Sequence, residues 1–307
     1  MASLVPLAPK NAAACIEDDG TADGSRSLVE VRAAEARFSD CALLGSPGNG
    51  IVIGDGATVS VSNSLIAAVW NTGIHVERGT NCHLTVTDSD VRNCHYAGIV
   101  IGRGQSDVTV QRCRISGAAW HGIRYDDASP TIADNLIFAN ARSGIYASGK
   151  TAAQVRGNVF WNNEMNGVSC WFENRDRIAS NTFAANLREG LSVLGAADPV
   201  IERNIFWQNP QGILHGDIRN NSASAKAASK LQLRANVFWT NGVHIASTAG
   251  RPPGDATAPA SLPLADFPGN QEIAPGFRDS AGGDFSLPAE SDVAKAGVGA
   301  PSALRPA

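Results

Sequence analysis

A short repeat constrains the fold of this chain more than any other feature. A glycine followed by an aliphatic residue recurs at intervals of 22 to 25 residues, with a last interval of 30. The glycines of these pairs are Gly50, Gly73, Gly98, Gly122, Gly144, Gly167, Gly190, Gly212 and Gly242. A second candidate for the interior stands two positions after each aliphatic residue, which is the period of a β-strand. One repeat cannot bury its apolar residues alone, so the repeats must stack into a solenoid.

A second motif, Val-x-x-Asn-x-Phe, runs in step with the first, as in Val155 to Phe160. Its central positions are Asn63, Ser89, Cys113, Asn135, Asn158, Asn181, Asn204 and Asn236. Neighbouring strands lie ~4.8 Å apart, so we expect these amides to form a ladder through the stack. Cys41, Cys113 and Cys170 fall on repeat positions, which indicates small buried thiols rather than a disulfide framework.

Both motifs resemble those of right-handed parallel β-helix proteins in the pectin-lyase-like superfamily, with carbohydrate-binding and sugar-hydrolase (CASH) type repeats. The resemblance covers roughly residues 28–250. It implies an all-β fold: a right-handed, single-stranded parallel β-helix of about nine to ten coils with terminal caps. We predict an N-terminal lead-in or cap over residues 1–27, the β-helix over 28–248, a linker rich in Pro, Gly and Ala over 249–263, and a C-terminal cap segment over 264–307. Residues 220–230 are polar and predict a loop.

Composition excludes several classes of protein. The net charge is −4, from 25 basic and 29 acidic residues, which argues against a dedicated nucleic-acid binder. No apolar run approaches the ~18 residues of a membrane helix. No Cys/His spacing predicts a metal site, no cofactor is indicated, and the oligomeric state stays open. Pro6, Pro9 and Lys10 interrupt the N-terminal segment, so we expect no export signal in the chain as given. The resemblance favours an extracytoplasmic location if a signal was removed.

In enzymes with the fold that this chain resembles, the Gly-Ile sheet and the turn entering it line the substrate groove. The outward positions and turns of the middle repeats gather aromatic, cationic and acidic residues instead of a scatter of ordinary surface residues. The substrate-binding candidates are His75, Glu77, His95, Tyr96, Trp120, Arg142, Trp171, Arg188 and Glu189. Aromatic rings beside polar groups suit sugars, whose apolar faces stack while their hydroxyls form hydrogen bonds.

The densest cluster predicts proton transfer next to a uronate carboxylate. That chemistry needs a base, a cation that neutralises the carboxylate, and an acid across the ring. We expect His121 to be the base, Arg124 the carboxylate clamp and Tyr146 the acid, with Asp126 orienting Arg124 or His121. This set resembles the His/Arg/Tyr chemistry of polyuronate lyases and C5-epimerases on the same fold. The Asp-Pro-His signature of alginate epimerases is absent, as is an acidic column for the calcium of pectate lyases.

The sequence therefore favours a lyase or epimerase acting on an acidic polysaccharide or oligosaccharide. A glycoside hydrolase is the second hypothesis. Hydrolysis needs paired carboxylates, and Asp126 and Asp127 are the only adjacent acidic pair on this strand. The polygalacturonase signatures are missing. Two alternatives stay open: a non-catalytic carbohydrate-binding or scaffold solenoid, and a cytoplasmic enzyme acting on a small metabolite. In every case the expected partner is a carbohydrate or another small polar substrate.

For four other aromatic residues the sequence predicts a structural role instead of a functional one. Tyr125 falls on an inward position, so we predict that it packs in the interior. Trp161, Trp207 and Trp239 follow the Asn-x-Phe motif directly and predict a structural stack.

Overall fold

The computed structural model describes residues 14–17, 27–79, 81–104, 106–216, 231–249 and 257–300, with side chains from residue 27 onward. The chain winds as a parallel β-helix, which confirms the predicted all-β solenoid. The predicted N-terminal cap and the loop at 220–230 fall almost entirely outside the described residues; of the former, only β1 (Ala14–Glu17) and residue 27 are seen.

Short strands make up nearly all the regular structure. The first coils contain β2 (Val29–Val31), β3 (Glu35–Ser39), β4 (Cys41–Leu44), β5 (Ile51–Ile53), β6 (Thr58–Ser62), β7 (Leu65–Ala67), β8 (Ile74–Val76), β9 (His83–Thr87), β10 (Asp90–Arg92), β11 (Ile99–Ile101), β12 (Asp107–Gln111) and β13 (Arg114–Ser116). The middle coils contain β14 (Ile123–Asp126), β15 (Thr131–Ala133), β16 (Leu136–Phe138), β17 (Ile145–Ser148), β18 (Gln154–Arg156), β19 (Val159–Trp161), β20 (Val168–Trp171), β21 (Arg177–Ala179) and β22 (Thr182–Ala184). The last coils contain β23 (Glu189–Leu194), β24 (Val200–Glu202), β25 (Ile205–Trp207), β26 (Gln211–Gly216), β27 (Gln232–Arg234), β28 (Val237–Trp239) and β29 (Val243–Ser247). The C-terminal segment adds β30 (Ala260–Ser261), a 3-10 helix (Leu264–Asp266), β31 (Gln271–Glu272) and α1 (Asp292–Lys295).

Each coil gives one strand to each of three sheets. The Gly-Ile sheet takes every third strand from β2 to β29, with β30 added antiparallel at its end. The Asn sheet takes every third strand from β1 to β31, and the third sheet runs from β3 to β27. Nine coils thus contribute to all three sheets and β29 begins a tenth, in agreement with the predicted coil number.

The glycine repeat reflects close approach of stacked backbones. A Cβ added at Gly98 would lie 2.6 Å from the carbonyl oxygen of Gly122 in the next coil, and the same clash recurs along the column. The aliphatic residues that follow, from Ile51 to Ile213, are fully buried. Phe160, Phe183, Phe206 and Phe238 stack inside with ring centroids 4.8 to 5.0 Å apart. Because coils repeat at that same spacing, identical rings can pack face to face through the interior.

The predicted asparagine ladder is confirmed from Asn135 onward. Each Asn donates through Nδ2 to the Oδ1 of the next, at 2.8 to 3.0 Å, from Asn135 through Asn236 to Asn270. Asn63 does not belong to the ladder, since it is a turn residue with φ of 46° whose side chain donates to Asp40. Ser64 takes the ladder position instead, so the predicted register was wrong by one residue in that coil.

A second ladder was not predicted. Its members are Asn140, Asn163, Asn186, Asn209 and Asn241, again joined from Nδ2 to Oδ1 at 2.9 to 3.1 Å. It runs through the turn that connects the Asn sheet to the Gly-Ile sheet, hereafter the entry turn. Side-chain amides therefore satisfy buried backbone groups at two edges of the solenoid.

The five cysteines whose side chains the structure describes are buried and form no disulfide, as predicted for Cys41, Cys113 and Cys170. Cys113 occupies the ladder position, and its backbone amide donates to Asn135 Oδ1 at 2.9 Å. Burial raises the pKa of the Cys113 thiol to about 12. Such a thiol is unreactive, since the thiolate is the nucleophilic form.

The C-terminal segment lies along the outside of the Asn sheet. Phe285 contacts Trp161 and Trp207, while Phe277 contacts Trp207. Trp161 and Trp207 are therefore structural, as predicted: they pack beneath this segment. The C-terminal segment covers the outer face of the Asn sheet in the middle and last coils, because that face is apolar.

The last coil departs from the predicted register. Ile213 pairs with Ile245, and Gly212 faces the carbonyl of His244. The Gly242-Val243 pair is therefore displaced by two residues from the glycine column. His244 takes the glycine position of its coil, and its Nε2 lies 3.1 Å from Glu272 Oε1.

Candidate functional site

The middle coils of the Gly-Ile sheet place Arg124 and Tyr146 in one column. Arg124 on β14 pairs in register with Tyr146 on β17, and Tyr146 pairs with Ser169 on β20. Asp126 belongs to the next outward column, two residues on from Arg124, with Trp171 two coils further. Alternation along each strand points these side chains outward, while Tyr125 between them points into the core.

Arg124 is the centre of this cluster. Its Nε donates to Asp126 Oδ2 at 2.8 Å, and its Nη1 donates to the hydroxyl of Tyr96 at 2.6 Å. The guanidinium carbon lies 5.5 Å from the ring centroid of Tyr146. Two hydrogen bonds and an aromatic face thus fix the guanidinium in place, and Nη2 carries no hydrogen bond to any described residue.

His121 lies in the entry turn and stacks on Tyr146, with ring centroids 4.9 Å apart. Its imidazole is buried, and burial, with the nearby charges of Arg142 and Arg124, lowers its pKa to about 4. The Ser143 amide donates to Nδ1 at 3.3 Å. In the neutral ring the proton is therefore on Nε2, which makes that nitrogen a hydrogen-bond donor.

Aromatic rings extend the cluster in both directions along the axis. The ring centroids of Trp120 and Tyr96 lie 5.1 Å apart. The guanidinium carbon of Arg142 lies 4.0 Å from the ring centroid of Trp120. Further along the axis, the ring centroids of Tyr146 and Trp171 lie 6.1 Å apart. The buried Nε1 of Trp171 has no hydrogen-bond partner among the described residues. These rings form a row across successive coils, which we call the groove.

Beside the groove lies a buried network of polar side chains, which no sequence motif predicts. Ser143 and Ser169 join their hydroxyls at 3.0 Å, and Asn166 donates to Ser169 Oγ at 2.8 Å. Asn166 Oδ1 accepts the amide of Glu189 at 3.3 Å. Ser143 and Asn166 share with His121 the position immediately before the glycine, and that shared column is the only sequence signal that could have linked them.

Two predicted binding residues, His75 and Glu77, lie two coils before Arg124 on the same sheet. Glu77 forms an ion pair with Arg32, a partner that sequence reasoning missed, and this bond is the main cause that lowers the pKa of Glu77. Burial lowers the pKa of His75.

Three more predicted binding residues also lie outside the Arg124 cluster. His95 stacks on Trp70 instead of joining the cluster. Arg188 and Glu189 approach one another at 4.0 Å in a later coil.

The two adjacent aspartates do not converge. Asp126 holds Arg124, whereas Asp127 sits in a turn with φ of 45° and binds Arg103 and the amide of Lys150. This arrangement does not supply the paired carboxylates of a hydrolase. Within the described residues, no group of three or more His, Cys, Asp or Glu side chains is placed to hold a metal ion. Nor does that part of the chain hold a helix long and apolar enough to cross a membrane.

Tyr125 is fully buried, as predicted, but it is not only packing. Its hydroxyl donates to Asp176 Oδ2 at 2.5 Å inside the solenoid. Asn174 and the amide of Ala153 also donate to this carboxylate, at 2.6 and 2.7 Å. Burial nevertheless raises the pKa of Asp176 above 3.8. The inward Tyr was visible in the sequence, but its acidic partner 51 residues away was not.

Comparison with known proteins agrees with the β-helix fold. The family model described as right handed beta helix region matches residues 27–175 and 100–252. The periplasmic alginate epimerase AlgG superposes with a TM-score of 0.53 at 12% identity, over 71% of this chain and 66% of that one. A double mutant of AlgG gives a TM-score of 0.54 at 12% identity, over 78% and 70%. In another AlgG structure the match covers 59% of the epimerase chain. No curated protein sequence matches this chain.

Proposed function

Because this chain belongs to the right-handed beta helix family, we propose that its groove binds an acidic polysaccharide or oligosaccharide and removes the proton next to a uronate carboxylate. Proton removal at this carbon, C5, is the step that a lyase and an epimerase have in common. The observation that carries the proposal is Arg124, held by Asp126, Tyr96 and the ring of Tyr146, with Nη2 free of described partners.

Arg124 would bind the uronate carboxylate. Asp126 and Tyr96 already orient the guanidinium, so little side-chain freedom remains to be lost on binding. Arginine forks match carboxylates geometrically, and the charge-assisted bonds would strengthen as the carboxylate gains enolate character. The flanking rings of Trp120 and Trp171 would stack on neighbouring sugar rings.

His121 and Tyr146 would exchange the proton. A base takes the C5 proton, and the electron pair left behind moves into the carboxylate, where Arg124 stabilises it. In an epimerase a proton then returns to the opposite face of C5; in a lyase the pair instead expels the C4 oxygen, which takes up a proton. The Ser143 bond leaves neutral His121 as a donor through Nε2, so the geometry favours Tyr146 rather than His121 for the accepting role.

The neighbouring structures support the acidic substrate at the level of fold. AlgG is described as an alginate epimerase, and alginate is a uronate polymer. AlgG is also described as periplasmic. We propose an extracytoplasmic location for this chain as well, because a polysaccharide substrate would be found outside the cytoplasm.

Deuterium exchange tests the proposal without assuming a product. The protein is incubated in D2O with alginate or polygalacturonate, and deuterium at C5 is measured by NMR while unsaturated product is followed by ultraviolet absorbance. We expect exchange with at least one polymer. Arg124→Lys, which keeps the charge but not the fork, should lower the exchange rate ~10²-fold or more. His121→Ala and Tyr146→Phe should each cost a similar factor.

Arg177→Ala is the matched control, because Arg177 pairs with Glu202 on the third sheet, away from the groove. It should leave exchange unchanged. Full exchange in Arg124→Ala would contradict the proposed role of Arg124. Polymer binding that depends on Arg124, without any exchange, would instead establish the non-catalytic binding alternative.

A further inference from the structure

A second concave site lies on the entry turn of the first coils. It has a volume of about 590 Å³ and is lined by Ser46, Pro47, Trp70, Asn93, His95 and Gly117, among others. These residues come from four successive entry turns, which follow β4, β7, β10 and β13. The volume is in the ordinary range for small-ligand pockets, ~300–1,000 Å³.

Trp70 forms the aromatic wall of this pocket. Its side chain is 65% exposed, the largest exposure among the large apolar residues of the described chain. His95 stacks on one face of the indole, with centroids 4.4 Å apart and planes 6° from parallel. The imidazole therefore holds the indole in a fixed plane and leaves its other face for a ligand. A rigid, exposed indole is a platform for stacking.

The polar groups of the pocket suit an uncharged ligand. None of the lining residues is Arg, Lys, Asp or Glu. Asn93 is exposed, and its side-chain oxygen lies over Gly117, where the missing side chain leaves it room. One carboxamide offers both a donor and an acceptor, which matches neighbouring hydroxyls on a sugar ring. A carboxylate or phosphate would find no formal positive charge here.

The pocket and the groove are neighbours with separate side chains. His95 lines the pocket, whereas the next residue, Tyr96, contacts Trp120 and Arg124 in the groove. The pocket does not depend on the chemistry proposed for the groove.

We propose that the Trp70–His95 pocket binds a neutral sugar residue by stacking on Trp70 and hydrogen bonding to Asn93. It is a second carbohydrate site, selective for uncharged rings, next to the groove that takes uronates.

Saturation-transfer NMR tests this with two sets of probes: neutral cello-, manno- and galacto-oligosaccharides, and the uronate trimers of mannuronate and galacturonate. We expect at least one neutral probe to give transfer in the wild-type protein. Trp70→Ala should reduce that signal at least fivefold, Trp70→Phe should retain part of it, and Asn93→Asp should weaken it, because the amide donor is lost while the turn conformation is tolerated.

Leu187→Ala is the control, since Leu187 is an exposed apolar residue on a later entry turn and lines neither the pocket nor the groove. It should leave the neutral signal intact. Arg124→Ala should abolish transfer to the uronate trimers and spare the neutral ones. No transfer to any neutral probe, or a neutral signal that survives Trp70→Ala, would overturn the proposal. Uronate trimers that compete for the Trp70 pocket would overturn its selectivity.

Discussion

Replacement of Asn158 by leucine tests the ladder that holds the middle coils together. Asn158 is fully buried, and its Oδ1 accepts both the backbone amide and Nδ2 of Asn135, each at 2.9 Å. Its Nδ2 donates to Ile132 O and Asn181 Oδ1. Leucine is similar in size, so the main loss is hydrogen bonding. At least two donors of Asn135 lose their acceptor, at ~1–3 kcal/mol each, so the expected loss is ~2–6 kcal/mol.

Serine provides the graded comparison. Ser64 and Ser89 occupy the same position in earlier coils, and Ser89 Oγ accepts the Ser64 amide at 3.1 Å. Asn158→Ser should therefore keep an acceptor for the Asn135 amide and cost less than leucine. Asn71→Leu, at an exposed turn, is the surface control.

The assay is denaturant unfolding followed by circular dichroism, with hydrogen exchange of the Asn135 amide as the local readout. A solenoid need not unfold in a single step, so the local exchange rate is the sharper measurement. Asn158→Leu should lower the unfolding midpoint and accelerate that exchange. If its midpoint and exchange match those of Asn71→Leu, the ladder does not stabilise the stack and the reasoning is refuted.

Two further predictions concern pH. The lowered pKa of His121, about 4 against an ordinary 6.5, means that the unfolded chain binds the proton more readily, so the free energy of unfolding should fall as the pH drops from 6.5 towards 4. His121→Asn should lose that part of the dependence, and identical profiles in denaturant titrations would contradict the assignment. Burial raises the pKa of Asp176, so here the folded chain binds the proton more readily than the unfolded chain does. The free energy of unfolding should therefore fall as the pH rises above 3.8 through the folded-state pKa of Asp176. Asp176→Asn should show a smaller fall over that window, and a difference from wild type that does not change with pH would exclude an ionising Asp176.

The stacked part of the fold was predictable because one periodicity determines it. Glycine, the aliphatic pair and the ladder residue recur at every coil, so each coil confirms the register of its neighbours. Prediction failed where the repeat becomes irregular. In the second coil Asn63 and Ser64 compete for one position, and sequence alone does not distinguish a left-handed turn residue from a ladder residue. In the last coil the glycine pair is displaced, and only the pairing of Ile213 with Ile245 shows it.

The candidate site was predictable as columns but not as contacts. Alternation placed Arg124, Asp126 and Tyr146 on one face, and the register agrees. The bond from Arg124 to Tyr96 joins residues 28 positions apart whose approach depends on turn geometry. The tautomer of His121 depends on a single backbone amide, that of Ser143, which carries no sequence signal. Sequence columns therefore find candidate residues, while their chemical roles depend on second partners.

The position of the groove along the solenoid is consistent with a site that must be rigid. The turn ladder begins at Asn140, whose Oδ1 accepts the amide of Ala118 at 3.1 Å, two residues before Trp120. From there it continues under the turns that carry Arg142 and Arg188. Earlier turns have Val69, Cys94 and Ala118 in its place. Groups that stabilise developing charge act best when they need not reorganise during the reaction. The ladder starts one coil after His121 and Arg124, in the turn that leads to Tyr146, and its first member bonds back to the Ala118 amide in the turn of His121. Breaking it with Asn140→Ala should therefore loosen the groove before it unfolds the solenoid.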